Sequence, residues 1–205
     1  MSNHLITTLA SVTLPNADLG RRTLFRQTGK AMLSAAAVAM IGGVAMPAGS
    51  ALAAPMQGDV DILNVALGLE HEAITAYQIG AESGLVKGKA LDAAKLFQSH
   101  HKGHRDALVS TIEKMGGKPV APKSQADVAK ALNAGSLKTQ DDVLRLAAKL
   151  ELGAANAYLG VIPSFSEGML KQVAARLAAD ETMHWTALSG VLGLPLPTGP
   201  LSFGA

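Results

Sequence analysis

Two glutamate–tyrosine pairs mark the residues best suited to chemistry. Glu70 precedes Tyr77 by seven positions and Glu151 precedes Tyr158 by seven, and these are the only two tyrosines in the chain. Each pair leads to a stretch with imidazole at its middle: His101 and His104 after the first, Glu181 and His184 after the second. Glu70 to His104 is 34 residues and Glu151 to His184 is 33, which reads as a duplicated unit. Carboxylate oxygen and imidazole nitrogen are ligands for iron, manganese and zinc. The i, i+3 spacing of His101 with His104, and of Glu181 with His184, puts both members of each pair on one helix face. The chemistry in view is the binding of one or two divalent ions. The chain has no cysteine, so thiolate sites, iron–sulfur clusters, disulfides and thiol nucleophiles are excluded.

Four helices must position these residues. The first is expected over about 59–83, with Gly84 closing it. Its apolar seam runs Leu63, Leu67, Glu70, Ile74, Tyr77, Ala81, so Glu70 stands where a leucine is expected. Glu72 and Glu82 fall off the seam and are expected to be solvated. The second helix is expected over about 90–115, stopped by Gly116-Gly117, with the seam Ala90, Ala94, Phe97, His101, His104, Leu108, Thr111, Met115. His100 lies on its flank, facing either the site or a neighbouring helix.

Residues 118–138 form the longest break between the main helices, with Pro119, Pro122, a short helix expected over 124–132, and Gly135. Thr139 and Asp142 make an N-terminal cap for a third helix along Leu144, Ala148, Glu151, Ala155, Tyr158 and Ile162, ended by Pro163. A fourth helix starts near Ser166 and follows Leu170, Ala174, Leu177, Glu181, His184, Leu188 and Val191 before Gly193 and Pro195. Trp185, Met115 and Met183 read as packing residues, and the hydroxyls of Tyr77 and Tyr158 are expected to bond to site carboxylates or their partners. The fold class is all-α, a four-helix bundle of two antiparallel hairpins joined by a long crossover. The domain spans 54–193, and the Pro/Gly-rich tail 194–205 reads as a strap or as disorder.

All six candidate ligands fall near helix midpoints, so an antiparallel bundle brings them to one level. An isolated buried charge costs far more than the roughly 5 to 15 kcal/mol net stability of a domain. A divalent metal compensates directly.

Glu70 with Tyr77, Glu151 with Tyr158, and Glu181-x-x-His184 resemble the ferritin-like superfamily of two-metal carboxylate proteins, which includes ferritins, bacterioferritins and rubrerythrins. The resemblance implies Glu70 and Glu151 as terminal ligands, Glu181 as a bridging ligand, and His104 and His184 as one nitrogen ligand for each metal. Iron is the favoured ion on that resemblance, with manganese or zinc as alternatives. One position departs from the family: helix two carries His101-x-x-His104 where Glu-x-x-His is expected, leaving three site carboxylates instead of four. An altered pair, a single-metal site and zinc in place of redox iron therefore stand beside the two-iron reading.

Residues 1–53 read as a targeting segment. Arg21-Arg22-Thr23-Leu24-Phe25-Arg26 precedes an uncharged run from Ala31 to Met46, about 16 residues and short of the roughly 20 that a spanning helix needs. Ala51-Leu52-Ala53 offers a small-x-small cleavage site, with a mature start at Ala54. The arginine pair resembles a twin-arginine export signal, which implies the twin-arginine export machinery as a partner and a periplasmic or otherwise exported address. Beyond residue 53 there are 14 basic and 15 acidic side chains, a net charge of −1 with histidine neutral. With no basic block and few aromatics, nucleic acid is not an expected partner, nor is a membrane after cleavage.

The leading expectation is an exported metal-binding protein, an oxidoreductase acting on ferrous iron, peroxide or dioxygen. The alternative is a non-catalytic bundle for stress protection or protein interaction, its site zinc-bound or vestigial. A mineral-filled cage is a weaker third reading, because too few residues follow helix four for the fifth helix of ferritin shells. A small homo-oligomer is compatible with these seams, which do not decide it.

Overall fold

The computed structural model describes residues 55–204. The expectations for the leader fall outside these residues. The main elements are α1 (Pro55–Glu82), α2 (Gly88–Lys114), the short α3 (Gln125–Ala131), α4 (Gln140–Val161) and α5 (Gly168–Val191). Single 3-10 turns at Ala134–Ser136 and Ile162–Ser164 flank α4. The all-α architecture is the one the seams imply, with no strand among the described residues. No described helix is long and apolar enough to cross a membrane.

Local chemistry explains where these helices begin and end. Gly116, at φ +77°, ends α2, and the N–H of Gly117 donates to the Ile112 carbonyl at 2.9 Å. Only a residue without a Cβ enters that left-handed region freely. Ser124 caps α3 by accepting from the Asp127 N–H. Thr139 and Asp142 cap α4 reciprocally: the Thr139 hydroxyl accepts from the Asp142 N–H, and the Asp142 carboxylate accepts from the Thr139 N–H. Helix α5 has no local side-chain cap. The two residues that lead into it are held instead by Asp59 on α1, which accepts from Ser166 N–H at 2.8 Å, Ser166 Oγ–H at 2.5 Å and Glu167 N–H at 3.2 Å.

Helix α1 packs along α2, α4 packs along α5, and α1 also packs against α4. The antiparallel arrangement shows in the two apolar clusters. One joins Val60, Leu63 and Leu67 of α1 to Leu108 and Ile112 of α2, Tyr158 of α4, and Leu170, Ala174 and Leu177 of α5. The other joins Tyr77, Phe97, Leu144, Ala148 and Leu188. The end of α2 therefore lies at one end of the bundle and the start of α4 at the other, so the crossover runs the length of the bundle.

That crossover is tied to α1. Asn64 donates through Nδ2 to the Lys118 carbonyl and accepts through Oδ1 from the Val120 N–H, while His71 Nε2 lies 3.1 Å from the Val120 carbonyl. Its path changes one expectation. Glu72 is buried, not solvated, because α3 and the residues around it cover that flank of α1. Glu82 is exposed, as its seam position implies.

Three further differences are local. Helix α1 begins before Asp59, at Pro55, and α2 begins at Gly88, slightly earlier than Ala90. Met183 is 57 % exposed and does not fill the core, since α5 turns that face outward; Met115 packs partly buried against the first cluster. The tail is a strap: Phe203 meets Trp185 edge to face at 5.3 Å, and the Gly204 N–H donates to Asn156 Oδ1.

Candidate metal centre

The two apolar clusters are separated by a polar layer. Helix α1 supplies Glu70, α2 supplies His101 and His104, α4 supplies Glu151, and α5 supplies Glu181 and His184. Five of the six are at most 2 % exposed, and His104 is 9 % exposed. Each seam places its residue here because the positions one turn away on either side are apolar or small and fill the flanking clusters.

Donor atoms in this layer lie close together. His101 Nδ1 is 2.8 Å from Glu70 Oε2, and His101 Nε2 is 3.2 Å from Glu151 Oε1. His184 Nδ1 is 3.0 Å from Glu181 Oε2 and 3.3 Å from Glu151 Oε2. His104 Nδ1 is 3.2 Å from Glu181 Oε1 and 3.6 Å from Glu70 Oε2. Two overlapping groups result: Glu70, His101, His104 and Glu181 in one, and His101, Glu151, Glu181 and His184 in the other, each with ligand atoms within 4.8 Å of one another. Glu181 offers one oxygen to each group, and His101 one nitrogen to each.

The donor set fits a divalent transition ion. Ligands at about 2.0–2.2 Å from one ion, at tetrahedral or octahedral angles, stand roughly 3.0–3.5 Å from each other. The spacings above fall mostly in that range. His104 Nδ1 and Glu181 Oε1 add a second sign. They are buried and 3.2 Å apart, yet neither makes an aligned hydrogen bond. Two buried polar atoms without a hydrogen bond are open to a shared partner.

Without a metal, protons hold the layer together. Burial alone would depress the His101 pKa, but hydrogen bonds to Glu151 and Glu70 overcome it and push the pKa up to about 10. His104 also reaches about 10, burial being outweighed by the nearby carboxylates of Glu181 and Glu70. His184 is also raised, burial losing to Glu151 and Glu181. Glu70 and Glu151 move the other way: burial would raise them, but the hydrogen bonds from His101 keep both below the usual carboxylate range. His101 is thus an imidazolium donating to a carboxylate on each side.

The tyrosines complete the layer crosswise. The Tyr77 hydroxyl donates to Glu151 Oε1, and the Tyr158 hydroxyl donates to Glu70 Oε1. Each half of the duplicated chain therefore orients the carboxylate of the other half. Burial first, then the facing carboxylate, holds both phenols well above their ordinary pKa, so they keep their protons.

Around this layer lie the outward contacts of the imidazoles. His184 Nε2 donates to His100 Nδ1 at 2.9 Å, so the flanking histidine faces the site. Burial, then the charge of His184, lowers the His100 pKa and leaves its Nδ1 free to accept. Phe97 stacks on the His184 ring, with centroids 4.2 Å apart. His104 Nε2 donates to Asp180 Oδ2 at 3.2 Å. Sequence reasoning did not single out Asp180, although an acid one turn before His184 was a visible signal.

The family model for the ferritin-like domain matches residues 58–194. No curated protein matches the chain. Among solved structures the chain is similar to a conserved hypothetical protein from Mycobacterium tuberculosis, with a TM-score of 0.58 and 20 % identity over 71 % of this chain and 99 % of that one. At that identity the likeness bears on the fold alone.

Proposed function

The chain belongs to the ferritin-like domain family, and we propose that its central layer holds one or two divalent ions, iron first, in an exported oxidoreductase acting on ferrous iron, peroxide or dioxygen. The observation that carries this reading is the pair of overlapping four-residue groups that share His101 and Glu181. Glu70 and Glu151 would each serve one group, with His104 and His184 as the nitrogen donors and Glu181 placed between them. A bound redox metal would supply the electron transfer. The protein's own part is to orient the ligands through Tyr77 and Tyr158, to exclude water with the two flanking apolar clusters, and to set ligand basicity through Asp180 and His100. The export part of the proposal rests on the arginine pair and small-x-small site of residues 1–53.

A second reading, a zinc-bound or metal-poor structural site, is favoured by one feature: both ring nitrogens of His101 are engaged by carboxylates, so a proton there can do part of a cation's work. Loading metal-free protein with ferrous iron and then adding dioxygen or peroxide separates the two. The oxidoreductase reading expects turnover that Glu181→Ala abolishes. Tight zinc binding with no turnover of iron would replace it with the structural one.

A further inference from the structure

Beneath the crossover lies a cavity of about 70 Å³ walled mainly by small and apolar side chains, among them Ala76 of α1, Val143 and Ala147 of α4, and Leu132 and Leu137 of the crossover. Tyr77, His101 and Glu151 also line it, so the cavity adjoins the central layer.

The polar groups on its wall are already committed. Tyr77 donates its hydroxyl to Glu151 Oε1, and the two ring nitrogens of His101 lie on Glu70 and Glu151. Glu72, the remaining charged side chain of the lining, pairs with Lys123 through one oxygen, and its other oxygen is sealed from water-sized molecules. What the cavity offers an occupant is therefore apolar contact.

Size and polarity together choose that occupant. An apolar cavity of about 150 Å³ takes a benzene ring, so one about half as large takes a molecule of about two or three heavy atoms. Of the substrates considered for the centre, ferrous iron would lose its hydration here without gaining a ligand set, and peroxide would lose its hydrogen bonds. Dioxygen is neutral and apolar, and it needs only close packing. The groove between α2 and α5 that reaches His184 past His100 is a different environment: Leu96 and Met183 on its walls are more than half exposed, so an occupant there competes with water.

We propose that the cavity beneath the crossover is a binding site for dioxygen beside the central layer, packed among Ala76, Val143 and Ala147. The binding stands on the cavity; its use by the centre rests on the metal reading above.

Xenon tests the cavity and dioxygen tests the ligand. Crystals of the full chain pressurised with xenon should show an anomalous peak in contact with Ala76, Val143 and Ala147. In metal-free protein under dioxygen pressure, NMR relaxation of the buried Val143 and Leu144 methyls should be enhanced severalfold more than that of Leu67 and Leu170, which are buried in the other apolar cluster. Ala76→Leu and, separately, Ala147→Leu fill the space and should remove both signals. No xenon peak in the cavity, ordered water in its place, or equal enhancement at the two sets of methyls would overturn the proposal on the unsubstituted chain, whether or not the variants fold. Metal uptake by the same preparation keeps the two readings apart: a chain that binds metal but shows no xenon peak overturns the dioxygen site alone, and a xenon peak in a chain that takes up no metal overturns the oxidoreductase reading alone.

Discussion

The α1–α2 hairpin and the α4–α5 hairpin present the same site from opposite sides, and they differ at one ligand position. The first offers Glu70, Tyr77, His101 and His104; the second offers Glu151, Tyr158, Glu181 and His184. The backbone repeat puts His101 and Glu181 at matching levels, so the exchange of imidazole for carboxylate is local and not a result of different folding. Its consequence is electrostatic. Glu181 brings a negative charge with two acceptor oxygens, whereas His101 brings two donors that bind Glu70 and Glu151 when no metal is present. The outer contacts differ in the same sense: His104 rests on the carboxylate of Asp180, and His184 rests on the neutral ring of His100. A duplicated fold fixes where ligands go, and single residues then decide what each half holds.

Substitutions can erase or exaggerate that difference. The largest effect is expected from His101→Glu, which makes the halves alike. In metal-free protein it removes the cation between two buried carboxylates and adds a third charge of their sign, a loss of about 3–5 kcal/mol or more read by urea unfolding. Metal should restore that stability, and two ions per chain should bind. An unchanged unfolding midpoint would show that His101 does not hold the layer together.

Proton competition is the next effect. His101 and His104 have folded-state pKa values near 10, above the unfolded value of 6.5. Their contribution to metal-free stability is therefore fully present below about pH 6.5 and lost as pH rises through about 10. A metal must displace these protons and that of His184, so its affinity should rise with pH across the same window, with up to about three protons released per chain at neutral pH. Calorimetric titration in two buffers of different ionisation enthalpy measures the number. Zero release would place the metal elsewhere.

Tyr77→Phe and Tyr158→Phe should each cost about 1.5–3 kcal/mol by removing a buried hydrogen bond to a carboxylate. The crosswise pairing predicts equal losses. A clear inequality would mean that the two carboxylates differ in how much their partners matter. The smallest effects are expected in the outer contacts. Asp180→Asn should weaken metal binding about tenfold, and His100→Ala should do less, since it removes a neutral partner. The reverse order would contradict the roles given to the two outer contacts.

Most of the centre was legible in the sequence because its residues interrupt apolar seams at matching positions. Period and duplication are local properties, and a bundle converts them directly into one layer. What escaped depends on contacts between distant segments. Asp59 looks like an ordinary start of a helix, but it anchors the residues leading into α5 from 107 positions away. Glu72 looks solvated until the crossover is laid over it, and Met183 looks like core until α5 is rotated into place. The crosswise tyrosine bonds were half legible: hydroxyl to carboxylate was expected, but which carboxylate depends on the packing of α1 against α4.

The central claim is that the six-residue layer is a metal centre, and anomalous X-ray diffraction from crystals of the protein purified with its native metal tests it most directly. The account predicts one or two peaks among Glu70, His101, His104, Glu151, Glu181 and His184, with nitrogen and oxygen ligands at about 2.0–2.2 Å. A layer that shows no peak after incubation with iron, manganese and zinc, with His101 still bonded to Glu70 and Glu151, would contradict it.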